Sequence, residues 1–314
     1  MRLGSLTVDG ARRFGLVQGD RIALLDEHAD PFAVLGAGTP GASTGERLGW
    51  DEEAVLEVPV PVTSIRDFIT FEQHTAGALR AVTGTGEVPD AWYEAPAFYF
   101  TNPHAAIGSG AAVAMPPGCE VFDFELEVAA VIGRAGYNLS PAEAAGHIAG
   151  FTILNDWSAR DLQGREMRVG LGPAKGKDTA TTLGPVLVTP DELAAHERDG
   201  RYDLGMEVHV NGTRIGGDTL ANMAWTFAEL IAYASRGTWV RPGDVLGSGT
   251  CGGGCLAELW GWYGPGRPAS LQVGDTVRMT VEGLGTLQNT VTAGPPLHAV
   301  PRARRGDPRR PLLP

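Results

Sequence analysis

Residues 122–132 read Phe-Asp-Phe-Glu-Leu-Glu-Val-Ala-Ala-Val-Ile. Apolar side chains occupy both alternating positions, at Phe122, Phe124 and Leu126 and then at every residue from 128 to 132, which is the pattern of a strand covered on both faces. A chain carrying this segment must build a layered β core around it and also accommodate Glu125 and Glu127. The two glutamates are two residues apart, so a strand projects both from one face. Like charges at that spacing raise one another's pKa unless a cation lies between them, and a bare buried carboxylate is too costly to keep. An isolated Glu-x-Glu usually marks a solvated strand face. The apolar flanks turn this one inward, and a buried pair calls for a metal.

The remaining pattern is mostly β. Glycine is abundant, at 44 of 314 residues, which suits tight turns and argues against a helical bundle. Residues 15–25 form a hairpin pattern around Gly19-Asp20, and 204–211 turn at Asn211-Gly212. Further strands are expected at 124–132, 150–154, 183–188, 256–263 and 275–281. Ser64 with Asp67 resembles a capping box, so a helix is expected from there through Ala81, with Asp67 and His74 two turns apart on one face. A second helix starts at Ser140-Pro141-Ala142-Glu143, and a third covers 223–234. The expected division is a small β-rich N-terminal domain at 1–62, ending in a proline-extended linker at 56–61, a main domain at 63–300, and a disordered arginine- and proline-rich tail at 301–314. The fold class is β-rich α+β.

The three cysteines, Cys119, Cys251 and Cys255, cannot all pair, which favours a reducing setting. Cys251 and Cys255 have a metal-like spacing but no second cysteine pair and no histidine close in sequence, so zinc is not expected there. No signal-like N-terminal run and no apolar stretch of about 18 residues is present, and a soluble cytoplasmic protein is expected. The formal net charge of −12 argues against nucleic acid or an anionic membrane as partner.

Chemistry concentrates between residues 123 and 184. Asp156 closes an apolar strand and can join Glu125 and Glu127 in an all-oxygen set that selects Mg²⁺, Mn²⁺ or Ca²⁺. Arg160 and Gln163, three apart, face one side of a helical turn, although Arg160 could instead pair with Asp161 or Glu166. Lys177 lies in Gly172-Pro173-Ala174-Lys175-Gly176-Lys177, a loop without core-forming side chains and suited to holding an anion. His74 is a candidate general base, and Glu258, set in an apolar run, is its candidate acid partner. The glycine-rich stretch 247–254 lacks the Gly-Lys-Ser/Thr ending of a phosphate loop. It is read as close backbone approach to a small ligand, with Thr250 offering a hydroxyl.

Taken together, Glu-Leu-Glu at 125–127, Asn-Asp-Trp-Ser-Ala-Arg-Asp-x-Gln at 155–163, Gly-Pro-x-x-Gly-Lys at 172–177 and Gly-Ser-Gly-Thr at 247–250 resemble the fumarylacetoacetate hydrolase family over roughly residues 64 to 295. The resemblance implies a mixed β-roll with peripheral helices, commonly dimeric, and a metal held by Glu125, Glu127 and Asp156, with Asp67 as a fourth ligand. It implies His74 and Glu258 as a catalytic dyad, a pocket lined by Arg160, Gln163 and Lys177, and substrate contacts from Tyr99 and Thr250. Ile69, Met167 and Asn102 stand where fumarylacetoacetase has two tyrosines and an arginine that grip the distal part of its substrate. The expected function is a metal-dependent hydrolase, with Mg²⁺ the first choice, cleaving a carbon–carbon bond in a small anionic β-diketo acid. A lyase, decarboxylase or isomerase acting on a 2-oxo acid, such as a 2-keto-3-deoxy sugar acid dehydratase, needs the same metal but no attacking water. A non-catalytic small-acid binding protein is the third reading.

Overall fold

The strand Leu126–Ile132 lies inside an eleven-stranded sheet in the computed structural model, which describes residues 1–38, 43–52 and 54–305. The spatial order is Ser43–Gly49, Arg21–Leu25, Ala11–Gln18, Arg2–Val8, Thr181–Val188, Ile148–Asp156, Leu126–Ile132, Asp244–Gly247, Ser64–Phe68 and Phe98–Thr101, with Ala106–Ile107 added parallel to Thr181–Val188. A five-stranded sheet runs Thr213–Thr219, Gly205–Val210, Thr276–Val281, Gly285–Thr292 and Ala112–Ala114. The helices are α1 (Pro31–Ala37), α2 (Glu72–Thr83), α3 (Asp90–Glu94), α4 (Pro141–Ala144), α5 (Arg160–Met167), α6 (Phe227–Ala234) and α7 (Leu256–Tyr263).

All seven residues of Leu126–Ile132 are buried, and alternation divides the six apolar ones between two cores. Leu126, Val128, Ala130 and Ile132 pack in the larger core, with Val208, Met279 and Leu287 of the five-stranded sheet. Ala129 and Val131 pack in the smaller one, with Leu3, Ile65 and Leu187. A strand with two dry faces therefore joins the layers, as its composition requires. The Asn211-Gly212 turn has φ of 51° and 78°, the left-handed pair of a two-residue hairpin.

Several expectations are corrected. Residues 64–68 form a strand and not the start of a helix, and α2 begins only at Glu72. The Ser64 hydroxyl donates to Asp244 Oδ1 at 2.8 Å, so a cross-strand bond claims the group that would have capped a helix, and the Arg66 guanidinium pairs with the same aspartate at 3.1 Å. Residues 256–263 form helix α7 and not a strand. A short apolar run fits either period, and here Cys255 caps the helix while Asp123 accepts the N–H groups of Leu256 and Ala257 at 2.9 and 3.0 Å. The helix expected at 223–234 starts at Phe227, where Thr226 and Glu229 form a capping box, and the box at Ser140 and Glu143 opens only the single turn α4.

The segment 56–61 buries Leu56, Val58 and Val60, and the Arg12 guanidinium donates to the carbonyls of Val58 and Val60. The strand Arg2–Val8 pairs with Thr181–Val188, so the N-terminal strands continue the main sheet. Of the expected tail, residues 301–305 are exposed and without secondary structure, and 306–314 lie outside the described residues. No described helix is long and apolar enough to cross a membrane.

Candidate active site

Three carboxylates meet where the central strands end. Asp67 sits on Ser64–Phe68 opposite Gly247 on one side and Tyr99 on the other, while Glu127 lies opposite Leu154. Asp67, Glu125 and Glu127 each offer an oxygen, and the three oxygens lie within 4.8 Å of one another. Gly247 makes room for them: a Cβ there would stand 2.5 Å from Asp67 Oδ1 and 2.8 Å from Glu127 Oε2. Asp156, the last residue of Ile148–Asp156, joins from the neighbouring strand, its Oδ2 accepting the Tyr99 hydroxyl and, at 2.6 Å, the Lys177 ammonium.

Asp67 Oδ1, Glu127 Oε1 and Asp156 Oδ1 are buried and have no hydrogen-bond partner. Such orphan acceptors are expensive, and a divalent cation held by the Asp67, Glu125 and Glu127 oxygens would satisfy those of Asp67 and Glu127. Mg²⁺ and Ca²⁺ bonds of about 2.0–2.6 Å place ligand oxygens roughly 3–5 Å apart, so the observed cluster has the right dimensions and the right chemistry for a hard cation. Without one, burial raises the Asp67 carboxyl to about 8, with nearby Asp156 adding to the effect. Burial and then Asp67 raise Glu127 well above the ordinary carboxylate range. As carboxylates neither of this pair can donate to the other, and a single proton between them lets them hydrogen-bond. Burial also raises Asp156, partly offset by Lys177. Glu125 goes the other way: burial pushes it up, but Lys177 and Arg160 outweigh that and hold it below its usual range.

The cationic side of the site is held by α5 and the loop after it. Lys177 is buried, with Nζ 2.5 Å from Glu125 Oε2 and 2.6 Å from Asp156 Oδ2. Glu166 positions that loop by accepting the N–H groups of Ala174, Lys175 and Gly176, whereas Lys175 pairs outward with Asp178. Arg160 does not pair with Asp161 or Glu166. Its guanidinium engages Asp123 and Glu125, at 2.7 Å each, and donates to Gln163 Oε1 at 3.1 Å. Burial would lower its pKa, but Asp123 and Glu125 raise it well above the usual value, so it is always charged.

On the opposite wall, His74 Nδ1 faces Glu258 Oε2 at 3.5 Å, both residues being buried. His74 lies in the first turn of α2 and Glu258 in the first turn of α7. These helices touch at two glycines: a Cβ on Gly261 would stand 2.0 Å from the Gly77 carbonyl oxygen, and one on Gly77 would stand 2.4 Å from Glu258 Cγ. Glu258 also accepts Gln73 Nε2 at 3.2 Å and the Gly253 N–H at 2.7 Å. Thr250 is buried in the glycine-rich loop, next to Gly249, whose N–H donates to Glu127 Oε2 at 3.0 Å.

Glu125 contacts Lys177 and Arg160 directly and lies within 4.8 Å of donor atoms on Asp67, Glu127 and His74, while Asp156 and Tyr99 connect to it through Lys177, Gln163 through Arg160 and Glu258 through His74. Sequence reasoning missed Asp123, fully buried and bonded to both Arg160 and the start of α7, and Cys255, whose Sγ is 3.7 Å from His74 Nδ1. Asp123 stands within the apolar run that exposed the glutamates, so the same signal could have found it. Nothing local links Cys255 to a histidine 181 residues away.

The chain is 29% identical over 288 residues to oxaloacetate tautomerase YisK of Bacillus subtilis, covering 91% of this chain and 87% of that one. It is 28% identical to fumarylacetoacetase of Arabidopsis thaliana, covering 82% and 77%. The fold is shared with fumarylpyruvate hydrolase from Pseudomonas aeruginosa, solved in complex with Mn²⁺ and pyruvate, at 23% identity and a TM-score of 0.60 over 75% of this chain and 91% of that one. Residues 1–56 match the Rv2993c-like N-terminal family. Residues 63–292, which carry every residue of the site, match the fumarylacetoacetate (FAA) hydrolase C-terminal family, and the chain belongs to that family.

Proposed function

We propose that this enzyme is a metal-dependent hydrolase cleaving a carbon–carbon bond in a small β-diketo acid such as an acylpyruvate. The observation that carries the reading is the buried His74–Glu258 pair facing the carboxylate cluster across Glu125. Glu125, Glu127, Asp156 and Asp67 would hold a divalent cation, Mg²⁺ first and Mn²⁺ or Ca²⁺ next. When bound it supplies Lewis-acid stabilisation to the enolisable oxygens of the substrate. The Mn²⁺ and pyruvate in the P. aeruginosa fumarylpyruvate hydrolase support this choice of ligand chemistry.

The chain's own groups supply the rest. His74 Nδ1 faces Glu258, so Nε2 is the nitrogen left to take a proton from water. The resulting hydroxide oxygen bonds to the distal carbonyl carbon, the carbon–carbon bond breaks, its electron pair passes to the enolate of the departing pyruvate unit, and the proton held on His74 returns to that enolate carbon. Lys177 has three N–H donors and directs two at Glu125 and Asp156, leaving the third for the tetrahedral oxyanion. Arg160 fixes Glu125 and turns Gln163 so that the amide N–H₂ is free to face the substrate. Tyr99 and Thr250 complete the contacts. A homodimer belongs to this reading through the family resemblance.

A second reading is favoured by the similarity to an oxaloacetate tautomerase along nearly the whole chain. There His74 would move a carbon-bound proton of a 2-oxo acid, and no water would attack. A screen of acylpyruvates, oxaloacetate enol and 2-keto-3-deoxy acids, with and without chelator, separates the two. Chelator-sensitive release of pyruvate from a diketo acid is expected. Conversion of the enol with no diketone hydrolysed would replace the first reading by the second.

A further inference from the structure

A second donor set of different chemistry lies between α2 and α7. His74, Cys255 and Glu125 each offer one ligand atom, and the three atoms lie within 4.8 Å of one another with all three residues buried. His74 Nδ1 and Cys255 Sγ are 3.7 Å apart. Zinc bonds of about 2.0–2.1 Å to nitrogen and 2.3 Å to sulfur at a tetrahedral angle place those atoms roughly 3.6 Å apart, so the pair already has the spacing of two ligands to one ion. An imidazole, a thiol and a carboxylate select a borderline-soft cation, whereas the all-oxygen cluster beside them selects a hard one.

The three donors come from separate elements that hold one another in place. Cys255 caps α7, its Sγ accepting the Glu258 N–H at 3.4 Å, and His74 is carried by α2, packed on α7 at Gly77 and Gly261. Glu125 enters the strand Leu126–Ile132 with one oxygen on Arg160 and the other on Lys177, and each oxygen keeps a further lone pair.

We infer that His74, Cys255 and Glu125 form a second metal site, for a cation of the Zn²⁺ class, whose occupation stops turnover by taking His74 Nδ1 away from Glu258, so that the dyad no longer orients and polarises the ring. The effect on turnover rests on the function proposed above; the binding itself does not. Glu125 belongs to both donor sets, so the Zn²⁺-class ion would sit beside the hard cation and not replace it.

The test uses the full chain, stripped with chelator, reloaded with excess Mg²⁺ and titrated with Co²⁺ as a coloured stand-in for Zn²⁺. A near-ultraviolet sulfur-to-cobalt charge-transfer band should grow, saturate, and disappear when Zn²⁺ is added. Cys255→Ser keeps an oxygen to cap α7 and should abolish the band; Cys251→Ser should keep it. In His74→Gln, with α7 untouched, Co²⁺ affinity should fall roughly tenfold or more. Zn²⁺ should inhibit Mg²⁺-supported turnover over the concentration range in which it displaces Co²⁺. No band in the wild type, or a band that survives Cys255→Ser, overturns the site. A band without inhibition overturns the regulatory effect and leaves the site. A band in a protein that turns over no diketo acid removes the proposed function alone.

Discussion

Lys177 Nζ stands 2.5 Å from Glu125 Oε2, and both residues are buried. The same ammonium reaches Asp156, so one lysine neutralises a carboxylate at the entry to one strand and another at the end of its neighbour. Removing one partner of a buried pair costs about 3–5 kcal/mol, because the remaining charge is left uncompensated. In Lys177→Met a divalent cation should take over part of that role. Melting curves with chelator should therefore show a marked loss of stability, and Mg²⁺ should raise the melting temperature more in the variant than in the wild type. An equal or smaller Mg²⁺ shift would show that Lys177 does not balance this cluster.

The carboxylates should differ in their worth to the metal. Asp67 and Glu127 each have an orphaned oxygen and belong to the three-oxygen group with Glu125, whereas Asp156, with one oxygen orphaned and the other committed to Tyr99 and Lys177, is not part of that group. Calorimetric titration with Mg²⁺ is expected to show the largest loss of affinity in Glu127→Ala and Asp67→Ala and a smaller one in Asp156→Ala. Affinity within twofold of wild type in both of the first two would remove the metal assignment.

Much of this site was legible because burial and charge conflict within a few residues. Glu125 and Glu127 stood out against Phe124, Leu126 and Val128 without any knowledge of the fold, and the turn at Asn211-Gly212 was readable from backbone chemistry alone. The failures share a cause: competing local signals decided by distant partners. Ser64 looked like a helix cap until Asp244, 180 residues away, took its hydroxyl. Glu258 looked like a strand residue until Asp123 and Cys255 capped the segment as a helix. The meeting of His74 with Cys255 depends on α2 packing against α7, and no local pattern reports that contact.

Stability without metal should depend on pH in a definite direction. Burial raises Asp67 to about 8 in the fold, while the unfolded chain releases that proton near 3.9. Below about 4 both states hold it, and as pH rises toward 8 the folded state alone retains it. The stability linked to Asp67 is therefore lost progressively across that window. A divalent cation displaces the proton, so the Mg²⁺-induced rise in melting temperature should be larger at pH 8 than at pH 6. Calorimetry near pH 7 in buffers of different ionisation enthalpy should show net proton release on binding. No release would mean that the cluster is ionised before the metal arrives.

His74→Gln should lower kcat by about 10²–10⁴-fold, the range for a positioned general base, and leave Mg²⁺ affinity nearly unchanged. Glu258→Gln should cost less, because its one amide oxygen can take the place of Oε2, accepting the Gly253 N–H and facing His74 Nδ1, while the bond from Gln73 to Oε1 is lost. Single-turnover kinetics on a hydrolysed diketo acid would check both. A His74→Gln variant that hydrolyses at the wild-type rate would exclude the dyad.

The contact between α2 and α7 offers the most direct link from packing to chemistry. Gly261 meets the Gly77 carbonyl so closely that an added Cβ would stand 2.0 Å from that oxygen, and the obstacle is backbone, which cannot rotate aside. Gly261→Ala must therefore push the helices apart, at an overpacking cost of about 1–3 kcal/mol. Because α2 carries His74 and α7 carries Glu258, the same displacement lengthens a contact that is already 3.5 Å. The Asp67, Glu125 and Glu127 cluster lies outside both helices and should be spared. The expected result is a lower melting temperature and a reduced kcat at unchanged Mg²⁺ affinity. A variant that loses stability but keeps full kcat would show that the His74–Glu258 geometry is not limiting for turnover.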